Sequence, residues 1–212
     1  MDYLPVFLNL RGRLVLIVGG GEVALRKARL LHEAGARLRV VAPRIAPEFT
    51  DLTADLHRRP AQVDDLAPDV DLVVLATDAP KVQAALQAAA RARRIWCNRC
   101  DEPAASDVVT GSVCDRSPIL AGVISSGCPG LSRLLAARFD AVISPVIVDL
   151  ARLLVELRPR VKAHFPTPAA RAAFWRRWTT EAVIARLERE GLATIRQELE
   201  KELASPHDRN DL

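Results

Sequence analysis

Short apolar runs alternate with amphipathic stretches in the first hundred residues. Leu14–Val18 is a continuous apolar run of strand length, and three glycines and a helical pattern over Glu22–Glu33 follow it directly. Residues 38–42 predict a second strand, which completes a β-α-β unit.

The same unit recurs further along the chain. Residues 70–76 predict a buried strand, residues 80–94 an alanine-rich helix and residues 95–98 another strand. A short strand is also expected over residues 56–59. Buried strands that alternate with helices are typical of a parallel sheet with helices on both faces, so the sequence predicts an α/β fold.

After residue 103 the pattern changes. Short alternating segments over residues 107–110, 112–114 and 119–125 predict a small mixed or antiparallel extension. From Leu131 onward the pattern is helical, and helix breaks are expected at Ser144-Pro145, Pro159, Pro166-Thr167-Pro168 and Gly191. The polar tail from Ser205 to Leu212 is expected to fray.

Length and composition set bounds on the class of protein. A chain of 212 residues suits one large domain or two small ones. Its apolar runs are far shorter than the ~20 residues of a membrane span. The first ten residues do not match an export signal. We therefore expect a cytoplasmic protein with no membrane partner.

Positive charge is concentrated in the middle of the chain. Residues 115–178 hold ten Lys and Arg residues against four Asp and Glu residues. Such a segment suits either nucleic acid or a polyanionic small molecule. Aromatic residues make up only 4% of the chain, too few for a base-stacking surface, and no zinc-finger spacing is present. A nucleic-acid partner is therefore not expected.

Four cysteines lie at positions 97, 100, 114 and 128. Without an export signal, disulfides are not expected. The alternative of a four-thiolate metal site is weakened because the second pair lacks the CxxC spacing and strand alternation turns Cys97 into the core. We therefore predict no resident metal.

The motif Gly19-x-Gly21-x-x-Ala24 lies between a predicted strand and a predicted helix. In that context the glycines allow a tight turn and a close approach of a pyrophosphate to the helix N-terminus. The second strand of such a unit normally ends in an acidic residue that binds ribose, but here it ends in Val41-Ala42-Pro43-Arg44. The residues alone leave NAD and NADP open, and a glycine turn without a nucleotide is the alternative.

Further motifs follow one another in a fixed order over residues 1–178. They are Tyr3-Leu4-Pro5-Val6-Phe7, Gly19-Gly20-Gly21-Glu22-Val23-Ala24 with Arg26-Lys27-Ala28, Ala76-Thr77-Asp78, Cys97-Asn98-x-x-Asp101-x-Pro103, Asp115-Arg116-Ser117-Pro118 and Ser125-Ser126-Gly127. The ordered set resembles the precorrin-2 dehydrogenase and sirohydrochlorin ferrochelatase family, which also forms the N-terminal module of siroheme synthase.

The resemblance implies a Rossmann-like NAD-binding domain over residues 1–112, a dimerisation segment over residues 113–145 and a helical C-terminal domain over residues 146–212. It also implies a homodimer that oxidises precorrin-2 to sirohydrochlorin with NAD, and that inserts ferrous iron to give siroheme. The alternatives are a dehydrogenase without chelatase activity, and a non-catalytic protein that binds NAD or a tetrapyrrole.

The resemblance also assigns roles to single residues. Asp101 is the catalytic acid, where a carboxylate at the carboxyl edge of the sheet can accept protons; the alternative is that it only opens a turn. The expected cofactor-binding residues are Gly19, Gly21, Glu22, Val23, Pro43, Arg44, Thr77 and Asn98. The expected substrate-binding residues are Arg116, Ser125, Ser126, Gly127 and Arg133, with Arg138, Arg160 and Lys162 as further basic candidates for a carboxylate-rich substrate.

One loop departs from the family. Ser125-Ser126-Gly127 continues into Cys128-Pro129-Gly130, which is shorter than the Gly-Thr-Ser-Pro-like stretch usual in the family. Because this loop is expected to border the tetrapyrrole, the departure weakens the expectation of iron insertion more than the expectation of oxidation.

Overall fold

The computed structural model describes residues 3–205, so residues 206–212 of the predicted polar tail lie outside the described residues. The chain divides between Thr110 and Gly111 into two units. Each unit has its own secondary structure and its own core, and the two are described separately.

A five-stranded parallel sheet forms the centre of the first unit. The strands are β1 (Leu14–Val18), β2 (Arg37–Val41), β3 (Ala54–His57), β4 (Val70–Leu75) and β5 (Trp96–Arg99). Their order across the sheet is β3-β2-β1-β4-β5, and every pairing is parallel. The predicted α/β class with a Rossmann-like parallel sheet is confirmed.

Two helices cover the two faces of this sheet. They are α1 (Glu22–Glu33) and α2 (Pro80–Ala92). Every residue of β1 is buried, and its side chains alternate between the faces. Leu16 packs in one core cluster with residues of α2, and Ile17 packs in the other with residues of α1.

Most of the predicted elements in the first unit are confirmed, with bounds that shift by one or two residues. β1 and α1 have the predicted bounds, and the short strand predicted over residues 56–59 lies at Ala54–His57. The segment over residues 107–110 is not a strand. Its backbone forms no ladder, because the amides of Asp107 and Val108 both donate to the Cys97 carbonyl.

The second unit begins with an antiparallel hairpin, β6 (Ser112–Arg116) and β7 (Ile119–Val123), so the predicted antiparallel extension is confirmed. Helix α3 (Pro129–Val142) packs against this hairpin. The remaining helices are α4 (Pro145–His164), α5 (Pro168–Trp178), α6 (Glu181–Glu190) and α7 (Leu192–Ala204). They share an apolar core that includes Leu157, Phe174 and Ile195.

Side-chain caps fix the starts of three of these helices. The hydroxyls of Ser144, Thr167 and Thr180 accept hydrogen bonds from the amides three residues further on, at the starts of α4, α5 and α6. Each cap satisfies an amide that has no partner inside the helix. The sequence predicts the first two of these boundaries but not the one at Thr180.

The predicted helix break at Pro159 is wrong, because α4 runs through that residue to His164. Proline removes the hydrogen bond to the carbonyl four residues earlier, which belongs to Val155. Val155 is 57% exposed, so water can satisfy its carbonyl. On the opposite face Leu153, Leu157 and Val161 are buried in the core, and this packing keeps the helix continuous.

Among residues 3–205, no helix combines the length and the apolar character that a membrane span needs.

Because α4 continues through Pro159, replacing this proline with alanine should stabilise the second unit. Pro159 is exposed, so the substitution restores a helix hydrogen bond without loss of packing. We expect the free energy of unfolding to rise by about 2 kcal/mol, after allowing for the looser unfolded chain. Pro168→Ala is the matched control, because Pro168 is the first residue of α5, where proline is favourable. Denaturant unfolding should show no gain for the control, and equal gains for both variants would contradict this account of α4.

Candidate functional site

The turn between β1 and α1 is built from three glycines that differ in their surroundings. Gly19 has a φ of +132°, and a Cβ there would lie 2.1 Å from the carbonyl oxygen of Ala76. A Cβ on Gly20 would lie 2.1 Å from the carbonyl oxygen of Arg44. A Cβ on Gly21 would have no other atom within 4 Å. The fold thus requires glycine at the first two positions, whereas Gly21 borders open space at the start of α1, which we call the cradle.

The N-terminus of α1 opens onto this cradle. Gly21 is its N-cap and supplies no side-chain hydrogen bond. The amide of Leu25 is the first that bonds back, to the Gly21 carbonyl at 2.9 Å. The amides at the start of α1, which include those of Glu22 and Val23, are therefore available for an anion, and the helix dipole favours one. This geometry fits the phosphates of a dinucleotide.

The carboxyl ends of neighbouring strands converge at the glycine turn. The Gly19 amide donates to the Val41 carbonyl at the end of β2, at 3.1 Å, and the Ala76 amide donates to the Val18 carbonyl at 2.8 Å. Strand order reverses between β1 and β4. Such a switch point at the carboxyl edge is where ligands bind open α/β sheets.

Two of the predicted cofactor residues follow β2. Pro43 and Arg44 are both exposed, and Arg44 has no ion-pair partner among residues 3–205. This end of the sheet therefore carries a free guanidinium where many dinucleotide sites have a carboxylate.

Thr77 lies two residues after β4, and Asn98 lies near the end of β5, at the same edge of the sheet. The Thr77 carbonyl accepts a hydrogen bond from Gln83 Nε2 of α2. Asn98 is 3% exposed, and its Nδ2 donates to the Val108 carbonyl at 2.8 Å. Asn98 thus has a structural use, since it holds the chain after β5 against the sheet.

Asp101 lies two residues after β5, and the sequence around it supplies its partner. Arg99 Nε lies 3.1 Å from Asp101 Oδ1, and Arg99 Nη2 lies 2.6 Å from Asp101 Oδ2. This two-point pairing holds the pKa of Asp101 below its usual range, against an opposing effect of burial. The Asp101 side chain is 43% exposed, so an ionised carboxylate faces the edge of the sheet and remains accessible.

Lys27 is a charged residue of α1 for which the sequence alone indicates no role. It projects from α1 and donates to the hydroxyl and the carbonyl of Thr110. Burial lowers the pKa of Lys27, and the nearby Cys100 thiol acts in the opposite direction. The only signal in the sequence was its place in the Arg26-Lys27-Ala28 motif. Its hydrogen-bond partner, Thr110, lies 83 residues away in the sequence, so the spacing of the motifs did not indicate the contact.

The second unit holds the predicted substrate residues, and their surroundings differ. The Arg116 guanidinium is paired with both carboxylate oxygens of Asp140, at 2.6 and 2.7 Å. Ser125 Oγ bonds the Cys128 carbonyl and lies 2.8 Å from Ser132 Oγ at the start of α3. Ser126, Gly127 and Arg133 are exposed. The loop from Ser125 to Gly127 is therefore accessible, whereas Arg116 is already used within the unit.

The four cysteines differ in how far they are buried. Cys97 and Cys114 are buried, Cys100 is partly buried and Cys128 is exposed. Cys97 is 0% exposed in the core of the first unit, as strand alternation predicted, and burial raises its pKa to about 11. Within residues 3–205 no group of three or more His, Cys, Asp or Glu side chains is arranged to hold a metal ion.

The fold and the glycine turn define an α/β protein of the dinucleotide-binding class. A family model described as "Putative NAD(P)-binding" matches residues 6–112, and the model of the sirohaem synthase dimerisation region matches residues 147–203. The chain belongs to this NAD(P)-binding family and carries, in addition, the sirohaem synthase dimerisation region. These matches confirm the family resemblance of the motifs. The second match lies over α4 to α7, and the bounds of the three expected domains stay a prediction.

Curated relatives and one solved structure agree with this assignment. The chain is 41% identical to the siroheme synthase of Chromobacterium violaceum over 209 residues, which is 97% of this chain and 44% of that protein. It is 45% identical to the siroheme synthase of Pseudomonas aeruginosa over 180 residues, 82% of this chain and 38% of that protein. The chain thus spans less than half the length of these relatives.

A structure titled "SirC, precorrin-2 dehydrogenase" has the same fold. It matches with a TM-score of 0.72 at 19% sequence identity, over 95% of this chain and 98% of that chain. At this level of identity the match shows the fold alone.

Alanine substitutions at Gly19 and Gly21 should separate folding from nucleotide binding. Gly19→Ala places a Cβ against the Ala76 carbonyl at a left-handed φ, and we expect a loss of at least about 2 kcal/mol of unfolding free energy. Gly21→Ala should change stability by less than about 0.5 kcal/mol. It should nevertheless weaken NAD(H) binding by about tenfold, because the new methyl group occupies the cradle.

Denaturant unfolding and a fluorescence titration with NADH measure these two effects. Full NADH affinity in a stable Gly21→Ala variant would show that the cradle does not bind the pyrophosphate.

Proposed function

We propose that this chain catalyses the NAD-dependent oxidation of precorrin-2 to sirohydrochlorin. The observation that carries the proposal is an ionised and accessible Asp101 at the same sheet edge as the uncapped α1 N-terminus. The names of the similar proteins support the substrate: siroheme synthases at 41% and 45% identity, and a precorrin-2 dehydrogenase with the same fold.

The strand order supports the direction in which NAD would lie. The pyrophosphate fits the Gly21 cradle at the end of β1, and the adenosine ribose then lies towards Pro43 and Arg44 after β2. The nicotinamide ring lies on the other side of the switch point, towards β4 and β5. Strands in a sheet lie about 4.8 Å apart, so the ends of β4 and β5 are within reach of the ring. Thr77 and Asp101 occupy those ends.

When bound, NAD supplies a hydride acceptor. The loss of a hydride from precorrin-2 must be balanced by the loss of a proton. Asp101 is the residue we assign to that proton, because its carboxylate is ionised and two-fifths exposed. A carboxylate offers about four lone pairs, so pairing with Arg99 leaves positions for a substrate proton.

The same carboxylate supports a second reaction, the insertion of ferrous iron into sirohydrochlorin to give siroheme. Iron is a substrate in this step, and two pyrrole protons must leave as it enters. Asp101 can accept them by the chemistry it uses in the oxidation. The chain then acts as a dehydrogenase and a ferrochelatase, with precorrin-2 and sirohydrochlorin as its tetrapyrrole partners.

The second unit supports a carboxylate-rich substrate. The Ser125-Ser126-Gly127 loop is accessible, and Arg133 is exposed on α3 without an ion-pair partner among the described residues. Guanidinium groups pair well with carboxylates. We assign Ser125, Ser126, Gly127 and Arg133 to the substrate, and we give Arg116 a structural role because Asp140 already occupies its guanidinium.

We also propose that the chain forms a homodimer. Large apolar side chains are exposed on α3, with Leu134 at 52%, Phe139 at 50% and Val142 at 71%. Exposed apolar residues at this density mark an interface more often than free surface, and a sirohaem synthase dimerisation region is present in the same unit.

An anaerobic assay with precorrin-2 and NAD tests the function directly. Sirohydrochlorin formation is followed by absorbance, and ferrous iron is then added. Conversion to siroheme faster than in a protein-free control supports both activities. A reaction that stops at sirohydrochlorin limits the function to dehydrogenation and points to the short Cys128 loop. Tight NAD binding without any oxidation would instead indicate a binding protein.

Asp101→Asn should fold and bind NAD normally but turn over about a hundredfold more slowly or worse. The asparagine keeps the shape of the side chain and removes the proton acceptor. Glu102→Gln is the matched control, since Glu102 is the adjacent acid and also contacts Arg99. Steady-state kinetics and NADH titrations on both variants are sufficient. Equal losses in the two variants would exclude a special role for Asp101.

Light scattering should give a mass near twice the 23.2 kDa of one chain. Leu134→Glu should shift the protein towards the monomer, because a carboxylate at a dimer interface loses its hydration. A monomeric wild-type protein at micromolar concentration would rule out the homodimer.

A further inference from the structure

The Arg99 side chain, at the end of β5, contacts acceptor groups of three other side chains. Besides its two contacts to Asp101, its Nη1 lies 2.9 Å from Glu102 Oε2 and 3.1 Å from Gln87 Oε1. The side chain is only 13% exposed although two of its partners are acids at the surface. The guanidinium is thus enclosed by acceptors on three sides.

The backbone and the partners of Arg99 are themselves fixed. Its amide donates to Ser106 Oγ at 2.8 Å, and that hydroxyl donates back to the Arg99 carbonyl. Gln87 is 7% exposed on α2, and its Nε2 donates to the Ala105 carbonyl at 2.7 Å. A buried amide on a helix therefore holds the guanidinium, and the guanidinium holds Asp101.

We propose that Arg99 is the positioning residue for Asp101: it orients both carboxylate oxygens and keeps the carboxylate ionised between turnovers. The inference rests on the proposed role of Asp101 in the oxidation. A base that takes a proton in each turnover must release it again, and a paired cation favours that release. Two parallel hydrogen bonds also fix the plane of the carboxylate, which a single point charge does not.

The charged groups around Asp101 determine the sign of the effect. Arg99 is the cation that contacts it, and Glu102 is the neighbouring anion of the same loop. Arg91 of α2 bonds the Ala105 carbonyl, and Lys27 and Arg26 of α1 act on Cys100. Pairing with Arg99 is the largest influence that lowers the pKa of Asp101, and burial opposes it. Without Arg99 the effect of burial remains, so the pKa of Asp101 should rise and the carboxylate should protonate at higher pH.

A carbon NMR titration of the aspartate carboxyls tests this in the intact protein without substrate, with Asp101→Asn to assign the signal. We expect the wild-type Asp101 carboxyl to titrate below the usual range of an aspartate, because Arg99 pairs with it, and Arg99→Gln to raise the midpoint by about one unit or more. Arg91→Gln is the matched control, because it removes a cation of α2 that bonds the same loop at the Ala105 carbonyl but does not contact Asp101. An unshifted midpoint in Arg99→Gln would overturn the proposal.

Kinetics supply a second readout. We expect Arg99→Gln to lower kcat by about tenfold to a hundredfold, with KM for precorrin-2 changed less than about threefold, and to move the acid limb of the pH profile upwards. Arg99→Lys keeps the charge without the fork and should restore part of kcat, and it carries the test if the glutamine variant is unstable. If the wild-type protein oxidises no precorrin-2, the proposed function fails, while the NMR titration still decides the role of Arg99.

Discussion

The close approach of Gly19 to the Ala76 carbonyl is the constraint on which the first unit depends. At this point strand order reverses, and the chain leaving β1 must pass beside the chain leaving β4. The same glycine donates its amide to the end of β2. One residue without a side chain thus joins the ends of three strands. Because the backbone turns so tightly here, α1 begins directly at the sheet edge, and its first amides remain free for an anion.

Side chains rather than regular structure position the segment that follows β5. The Asn98 amide holds Val108, the Ser106 hydroxyl holds both backbone groups of Arg99, and Lys27 reaches across from α1 to Thr110. These are buried or partly buried polar contacts, which cost free energy if one partner is removed. Asp101 therefore lies in a loop that is irregular in backbone but fixed at several points. The role of proton acceptor that we propose for Asp101 needs that kind of positioning.

The sequence predicted most where the physical signal is local. The apolar run of β1, the glycine turn and the amphipathic face of α1 lie within twenty residues, and all three are confirmed. The helix break predicted at Pro159 is wrong, because the packing of α4 against the apolar core outweighs the local cost of the proline. Arg99 was missed for a different reason. Its importance comes from Gln87 and Ser106, which no periodicity connects to it, so the sequence indicated Asp101 but not the residue that holds it.

Charge counting along the sequence overstated the positive charge that the second unit offers to a ligand. Acidic residues further along the chain pair with part of the basic segment: Glu200 of α7 lies 3.7 Å from Arg160, and Glu202 pairs with Arg177. Asp140 occupies Arg116 in the same way. Of the five basic candidates, Arg133, Arg138 and Lys162 have no ion-pair partner within residues 3–205. Among these five candidates, the three without an ion pair are therefore the ones available to a carboxylate, because a guanidinium already paired with a carboxylate gains little from a second one.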